Sequence, residues 1–217
     1  MLSGIIFDMD GVVVDSHPIH IRAWRRLLFS LGRTPTDKEL EFVRDGRRKD
    51  EILCHFLGEL SDDQIQSYGR EKDRLFREET RSLKTVDGLG QLLDELERAA
   101  LPMAIASCGS MWRVHHILDV LGLSHYFTSV ITGDEVKFGK PHPALFQKAA
   151  QQMRTSPEDS LVFEDSISGV QAATAAGMKC LGIGERRRTQ DLLEAGACYV
   201  LRNFMGISLN QMQELFA

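Results

Sequence analysis

Six short runs of apolar residues constrain this chain more than any other feature. They are Gly4-Ile5-Ile6-Phe7, Pro102-Met103-Ala104-Ile105-Ala106, Ser129-Val130-Ile131-Thr132, Leu161-Val162-Phe163, Cys180-Leu181-Gly182-Ile183 and Cys198-Tyr199-Val200-Leu201. A strand half exposed to water alternates polar and apolar positions. Runs that are apolar throughout are buried on both faces, which requires a parallel sheet with helices on either side. The stretches between them carry helical spacing. Val114, Ile117, Leu118 and Leu121 lie on one face of a helix over 111–121 that Gly122 stops. A second helix starts at Pro143, which suits a first turn, and runs to Met153. Ser166 is placed to cap a third, running to Ala176, with Gly177 beyond its end. The alternation predicts an α/β fold.

One stretch breaks the alternation. From Asp15 to Arg81 there is no strand pattern, only helical periodicity, with Ile19, Ala23, Leu27 and Leu31 on one face and Ile65, Tyr68, Lys72 and Leu75 on another. Two hundred and seventeen residues suit one large domain or one domain with an insert. The expected organisation is therefore a core made of 1–14 and 82–217, with a small helical domain over 15–81. A formal net charge of −5 disfavours nucleic acid as a partner, which calls for a basic face. No run approaches 18 apolar residues, so no membrane span is expected, and the start MLSGIIFD reads as a strand rather than a signal peptide. Cys54, Cys108, Cys180 and Cys198 have no metal-site or disulfide-framework spacing and read as buried thiols in a reducing cytoplasm.

The chemistry sits after the strands. Asp8-Met9-Asp10, Ser107, Lys140 and Glu164-Asp165 each follow an apolar run, and ligands of open α/β sheets bind at the carboxyl ends of the strands. Four acids gathered in one place repel one another and need a cation; hard oxygen ligands favour Mg²⁺. Lys140 would add positive charge there. Ser107, expected at a helix N-terminus, offers a hydroxyl and neighbouring N–H groups to phosphate oxygens. Such a set suits phosphoryl transfer, with a carboxylate as nucleophile and a second Asp as general acid and base.

Asp8-Met9-Asp10-Gly11-Val12-Val13-Val14-Asp15-Ser16, Ser107, Gly139-Lys140-Pro141 and Glu164-Asp165-Ser166 resemble, in order, the four motifs of the haloacid dehalogenase-like hydrolase superfamily. The helical insert resembles the small cap of its β-phosphoglucomutase-like branch. The resemblance implies a Rossmann-like parallel sheet core and a Mg²⁺-dependent phosphotransferase that forms an aspartyl phosphate. It implies Asp8 as nucleophile and Mg²⁺ ligand, and Asp10 as general acid and base that lends Mg²⁺ its backbone carbonyl. Ser107 and Lys140 would bind the transferring phosphoryl group. Asp165, with Glu164, would complete the metal site. In the cap, His20, Lys72 and the Gly46-Arg47-Arg48-Lys49-Asp50 loop resemble the mutase's substrate-binding positions.

Two departures favour a phosphatase over the mutase. The mutase's Arg in the cap loop stands here as Lys49, which lacks the bidentate fork that suits phosphate. The Ser-Lys pair that follows the mutase's motif serine is replaced by Cys108-Gly109-Ser110-Met111, without a cation. The expected substrate is a small phosphorylated metabolite such as a sugar phosphate, bound by a cytoplasmic monomer. A hexose-phosphate mutase is the runner-up. A regulatory module phosphorylated on aspartate, such as a two-component receiver, stands third, because receivers are shorter and carry their acceptor Asp after a later strand. Cys108 does not read as a thiol-phosphatase nucleophile, since that signature needs five residues between Cys and Arg, and Arg113 leaves four. Taken alone, the charged helix around Lys72 reads as a solvated face, Arg47 and Arg48 as surface charge, Glu185-Arg186-Arg187-Arg188 as a solvated turn, and Trp24 and Trp112 as packing residues.

Overall fold

A computed structural model describes residues 1–80 and 83–217. The six apolar runs form six strands: β1 (Gly4–Phe7), β2 (Met103–Ser107), β3 (Ser129–Thr132), β4 (Ser160–Glu164), β5 (Lys179–Ile183) and β6 (Tyr199–Leu201). They make one sheet in the order β3-β2-β1-β4-β5-β6, and every pairing is parallel. The chain builds outward from β1 through β2 and β3, then crosses to the other side of β1 to lay down β4. This reversal opens a crevice between β1 and β4 at their carboxyl ends.

The period of two along each strand sorts the core into two layers. Ile5 and Phe7 of β1, Met103 and Ile105 of β2, and Leu161 and Phe163 of β4 join one cluster; Ile6, Ala104, Ala106 and Val162 join the other. The first layer packs against α5 (Leu89–Arg98), α6 (Met111–Leu121) and α10 (Leu209–Glu214). Phe7 stacks on Phe163 at 5.2 Å between ring centroids there. The second packs against α7 (Ala144–Met153), α8 (Ile167–Ala175) and α9 (Thr189–Glu194). Pro143 stands immediately before α7, and the Ser166 side chain caps α8 by accepting from Gly169 N at 3.0 Å.

Among the described residues, the regular elements between β1 and α5 are helical: α1 (His17–Ser30), α2 (Asp37–Leu40), a 3₁₀ turn over Glu41–Arg44, α3 (Lys49–Leu57) and α4 (Asp62–Arg77). Capping boxes at Thr36 with Glu39 and Ser61 with Gln64 start α2 and α4. The chain leaves the core and returns to it side by side. Val14 bridges Thr85 in antiparallel sense, and Asp15 N donates to Lys84 O at 3.0 Å. The expected change-over at 81–82 lies outside the described residues. Among the described residues, no helix is long and apolar enough to cross a membrane.

The thiols depart from expectation. Cys180 is buried and Cys108 half-buried, but Cys54 and Cys198 are exposed. Trp24 is core, whereas Trp112 is exposed, stacked on His116 at 5.0 Å with Arg77 over its ring.

Candidate active site

β1 ends at Phe7, and the chain turns sharply at Gly11, whose φ of +82° an L side chain rarely adopts. A Cβ at Gly11 would lie 2.7 Å from Asp165 Cγ, so the turn and the end of β4 are packed face to face. Asp8, Asp10, Ser107 and Asp165 line one pocket with His17, His20, Arg47, Lys49 and Lys72 from the helical insert. Residues from both ends of the chain thus meet at the carboxyl edge of the sheet.

Lys140 is the hub behind Asp8. It does not follow β3 directly; a 3₁₀ turn over Gly133–Glu135 and a loop carry it back to the site. Its wholly buried ammonium donates to Asp8 and to Glu164. Burial opposes the charge on Lys140, but Asp8 and Glu164 outweigh it and hold Lys140 firmly protonated. Burial pushes the Asp8 carboxyl up to about 8, with the negative charges of Glu164, Asp10 and Asp165 adding to the effect and Lys140 working against it.

Glu164, expected among the metal ligands, has both carboxylate oxygens bonded within the protein. It is fully buried, and one carboxylate oxygen accepts from Lys140. The other accepts from Ser166 N at 2.7 Å and Ser166 Oγ at 2.9 Å. Glu164 therefore anchors Lys140 and is not among the pocket-lining residues. Asp165 does reach the pocket, where its Oδ2 lies 2.6 Å from His17 Nε2 and 3.8 Å from Arg188 Nη1. Arg188 is thereby drawn out of the solvated turn expected for it. Ser107 is not at a helix N-terminus either. α6 begins at Met111, whose N–H donates to Asp134, and Ser107 Oγ accepts from Gly109 N at 3.1 Å.

Asp10 is bonded on both of its carboxylate oxygens. Its Oδ1 accepts from Ser16 Oγ at 2.5 Å and from His20 Nε2 at 2.9 Å. Arg113 makes a fork onto both of its oxygens, at 2.8 Å each. Burial works against ionisation of Asp10, but Arg113 and His20 outweigh it and hold the carboxyl well below the ordinary range. Lys72 is buried rather than solvated. Its ammonium lies 2.7 Å from His20 Nδ1 and over the rings of Phe76 and Trp24. Because Lys72 donates to Nδ1, the neutral ring carries its proton on Nε2 and gives it to Asp10.

Burial, then the charge of Lys72, presses His20 down to about 3. Between that value and 6.5 the unfolded chain binds a proton that the native imidazole does not. Stability from neutral His20 is therefore complete above 6.5 and is lost as pH falls toward 3. A His20→Gln variant should lose about 2 kcal/mol less than the parent between pH 7 and pH 5, read by urea unfolding.

The cap-loop cations are partly engaged. Lys49 pairs with Asp73 at 2.6 Å and Arg47 with Asp45 at 3.1 Å. Arg48 does not line this pocket; it donates to Gly133 O and Val136 O in the segment after β3. Cys108 lines the pocket, but burial pushes its thiol up to about 11, so it is no thiolate nucleophile at neutral pH. His17, Arg113 and Arg188 escaped the sequence reading.

The model of the haloacid dehalogenase-like hydrolase family matches residues 5–183. The chain belongs to that family. Two relatives within reach are phosphatases. The fructose-1-phosphate phosphatase of Escherichia coli (strain K12) is 33% identical over 83% of this chain and 96% of its own length. The phosphorylated carbohydrates phosphatase of Thermotoga maritima is 32% identical over 93% of this chain and 94% of its own. In fold, this hydrolase superposes on a β-phosphoglucomutase from Clostridium difficile with a TM-score of 0.88, at 24% identity, over 99% of this chain and 96% of the mutase.

Proposed function

We propose that the protein is a phosphoric monoester hydrolase of small phosphorylated metabolites, sugar phosphates foremost, that works as a cytoplasmic monomer, needs Mg²⁺ and passes through an aspartyl phosphate on Asp8. The observation that carries this reading is the meeting of Asp8, Asp10, Ser107 and Asp165 in one pocket, with Lys140 bonded to Asp8 from behind. The names of the two phosphatase relatives support it.

In the first half-reaction an Asp8 carboxylate oxygen attacks phosphorus. The bond from phosphorus to the sugar oxygen breaks, and that oxygen takes a proton through Asp10; because Arg113 and His20 keep Asp10 ionised in the resting site, the proton is the one Asp8 gives up on becoming the attacking carboxylate. In the second, a water oxygen attacks the same phosphorus. Asp10 takes the water's proton, the bond from phosphorus to Asp8 breaks, and phosphate leaves. Ser107 and Lys140 bind the phosphoryl oxygens. The residues fit Mg²⁺. Among the described residues no three His, Cys, Asp or Glu side chains form a ready cage. Mg²⁺, however, is held by one or two carboxylates with water and substrate phosphate rather than by all-protein cages. Asp8, Asp165 and the Asp10 backbone carbonyl would hold it, and a divalent charge would offset both the burial and, after it, the neighbouring negative charges that raise Asp8. When bound, Mg²⁺ offsets the charge of the transferring phosphoryl group. The segment 15–81 serves as a cap over the core formed by 1–14 and 82–217, with His20, Lys72, Arg47 and Lys49 facing the substrate and shielding it from bulk water.

A screen of phosphorylated metabolites with Mg²⁺ tests this directly. Phosphate release is expected, falling about 10²-fold or more with EDTA and returning with Mg²⁺. Metal-independent release would overturn the Mg²⁺ role. One observation favours a mutase: Arg44, Arg47 and Lys49 line the same pocket, and Arg44 and Arg47 each keep a buried Nε without a protein partner. Such donors suit a second phosphate. Glucose 6-phosphate formed from β-glucose 1-phosphate and a bisphosphate primer would establish that reading, and inorganic phosphate the first.

A further inference from the structure

We infer that Arg113, admitted to the pocket by Gly109, is a positioning residue that holds the Asp10 carboxyl in line with the leaving group. The assignment rests on the reading of Asp10 as acid and base given above.

Three observations carry it. Arg113 is 4% exposed although it stands in the first turn of α6, where a long cationic side chain ordinarily extends into water. Its guanidinium lies in the pocket and engages both oxygens of Asp10, a planar geometry that a lysine could not reproduce. The space for it is made by glycine. A Cβ at Gly109 would lie 2.7 Å from Arg113 Cζ and 2.9 Å from its Nε, so any other residue at 109 collides with the fork. The φ of Gly109 is not in the left-handed region, so its backbone does not require glycine. The missing side chain is explained by the guanidinium.

The clamp also spans the two halves of the site. Arg113 Nη1 lies 3.1 Å from His20 Nε2, and its Cζ sits over the Phe76 ring at 5.6 Å, both contributed by the insert. Asp10 is thus held from the α6 side by Arg113 and from the α1 side by His20 and Ser16. Two bonds to a fork, rather than one to a point charge, fix the rotation of the carboxyl as well as its position. An acid that must meet one oxygen of a bound ester needs both fixed.

Phenyl phosphates with different ring substituents provide the test, because their leaving groups vary in acidity with little change in size. A good leaving group departs without a proton; a poor one needs Asp10. For each ester, kcat/KM is compared between the parent, Arg113→Ala, Arg113→Lys and Gly109→Ala. The loss in Arg113→Ala should be about tenfold or more greater for phenyl phosphate than for 4-nitrophenyl phosphate, so that kcat/KM depends more steeply on leaving-group acidity. Arg113→Lys should recover little of it. Gly109→Ala, which leaves Arg113 in the chain but displaces it, should show the same steepening, and it serves where Arg113→Ala fails to fold. Asp10→Asn should be as steep as the Arg113 variants, and the Asp10→Asn, Arg113→Ala double variant no steeper. Equal losses for every ester would overturn the assignment, since they would mark Arg113 as structural or phosphate-gripping. Retention of turnover by Asp8→Asn would instead overturn the underlying mechanism.

Discussion

Replacing Asp8 with Asn should abolish turnover, by at least about 10⁴-fold, without unfolding the protein. The amide keeps the shape of the carboxyl and an oxygen that can accept from Lys140, but it cannot attack phosphorus. Its effect on stability has a sign that a surface acid would not show. Native Asp8 is raised to about 8 from its ordinary 3.8, first by burial. Between those values the native state holds a proton that the unfolded chain releases. In metal-free protein the group therefore costs stability as pH rises from about 4 to 8. Asn carries no such cost. Without divalent metal, Asp8→Asn should melt no lower than the parent at pH 8, and its advantage should shrink toward pH 5. Mg²⁺ should raise the melting temperature of the parent more than that of the variant, since binding to the native state alone stabilises by mass action. Phosphate release at a tenth of the parental rate or more would remove Asp8 from the chemistry. A melting temperature lowered by many degrees would mean that the carboxylate is structural.

Much of this site could be read from the chain because its acids stand in the first positions after buried strands. A polar residue there has few structural reasons to exist, and Asp8, Asp10, Ser107 and Asp165 all reach the pocket. The inner strands β1, β2, β4 and β5 were legible because burial on both faces gives continuous apolar runs too short for helices, while the edge strands β3 and β6 are partly exposed. The residues that escaped obey a different logic. Arg113 precedes the apolar face of α6, and a cation in a first helical turn reads as solvated. What buries it is the absence of a side chain at Gly109 together with Phe76 from the insert, and neither shows in the local pattern. Lys72 is similar, since its surroundings are His20 and Trp24 on another helix. His17 meets Asp165 only because of the turn at Gly11. Glu164 shows the converse limit: two adjacent acids after β4 looked alike, but successive residues leaving a strand point in different directions. One went to the pocket and the other under Lys140.

Lys140 is where charge and stability are most tightly joined. Its side chain is fully buried with two carboxylates on its ammonium, Asp8 nearly buried and Glu164 wholly so. Replacing it with Met keeps the bulk but leaves both acids without their cation. Removing one partner from a buried ion pair costs about 3–5 kcal/mol, because the remaining charge has lost its solvent and gained nothing. For a chain of this size that is a fall of roughly 6–20 °C in melting temperature. Activity should fall as well, since the phosphoryl group loses a cation. The two effects can be separated. In Lys140→Met, Glu164→Gln the second buried charge is gone while the amide can still accept from Ser166, so a large part of the melting temperature should return. Phosphate release should not, because Lys140 acts on substrate and Glu164 acts through Lys140. If the double variant is as unstable as the single, the loss in Lys140→Met comes from packing. If it regains turnover along with stability, the ammonium holds the fold alone and the phosphoryl group is bound by other residues.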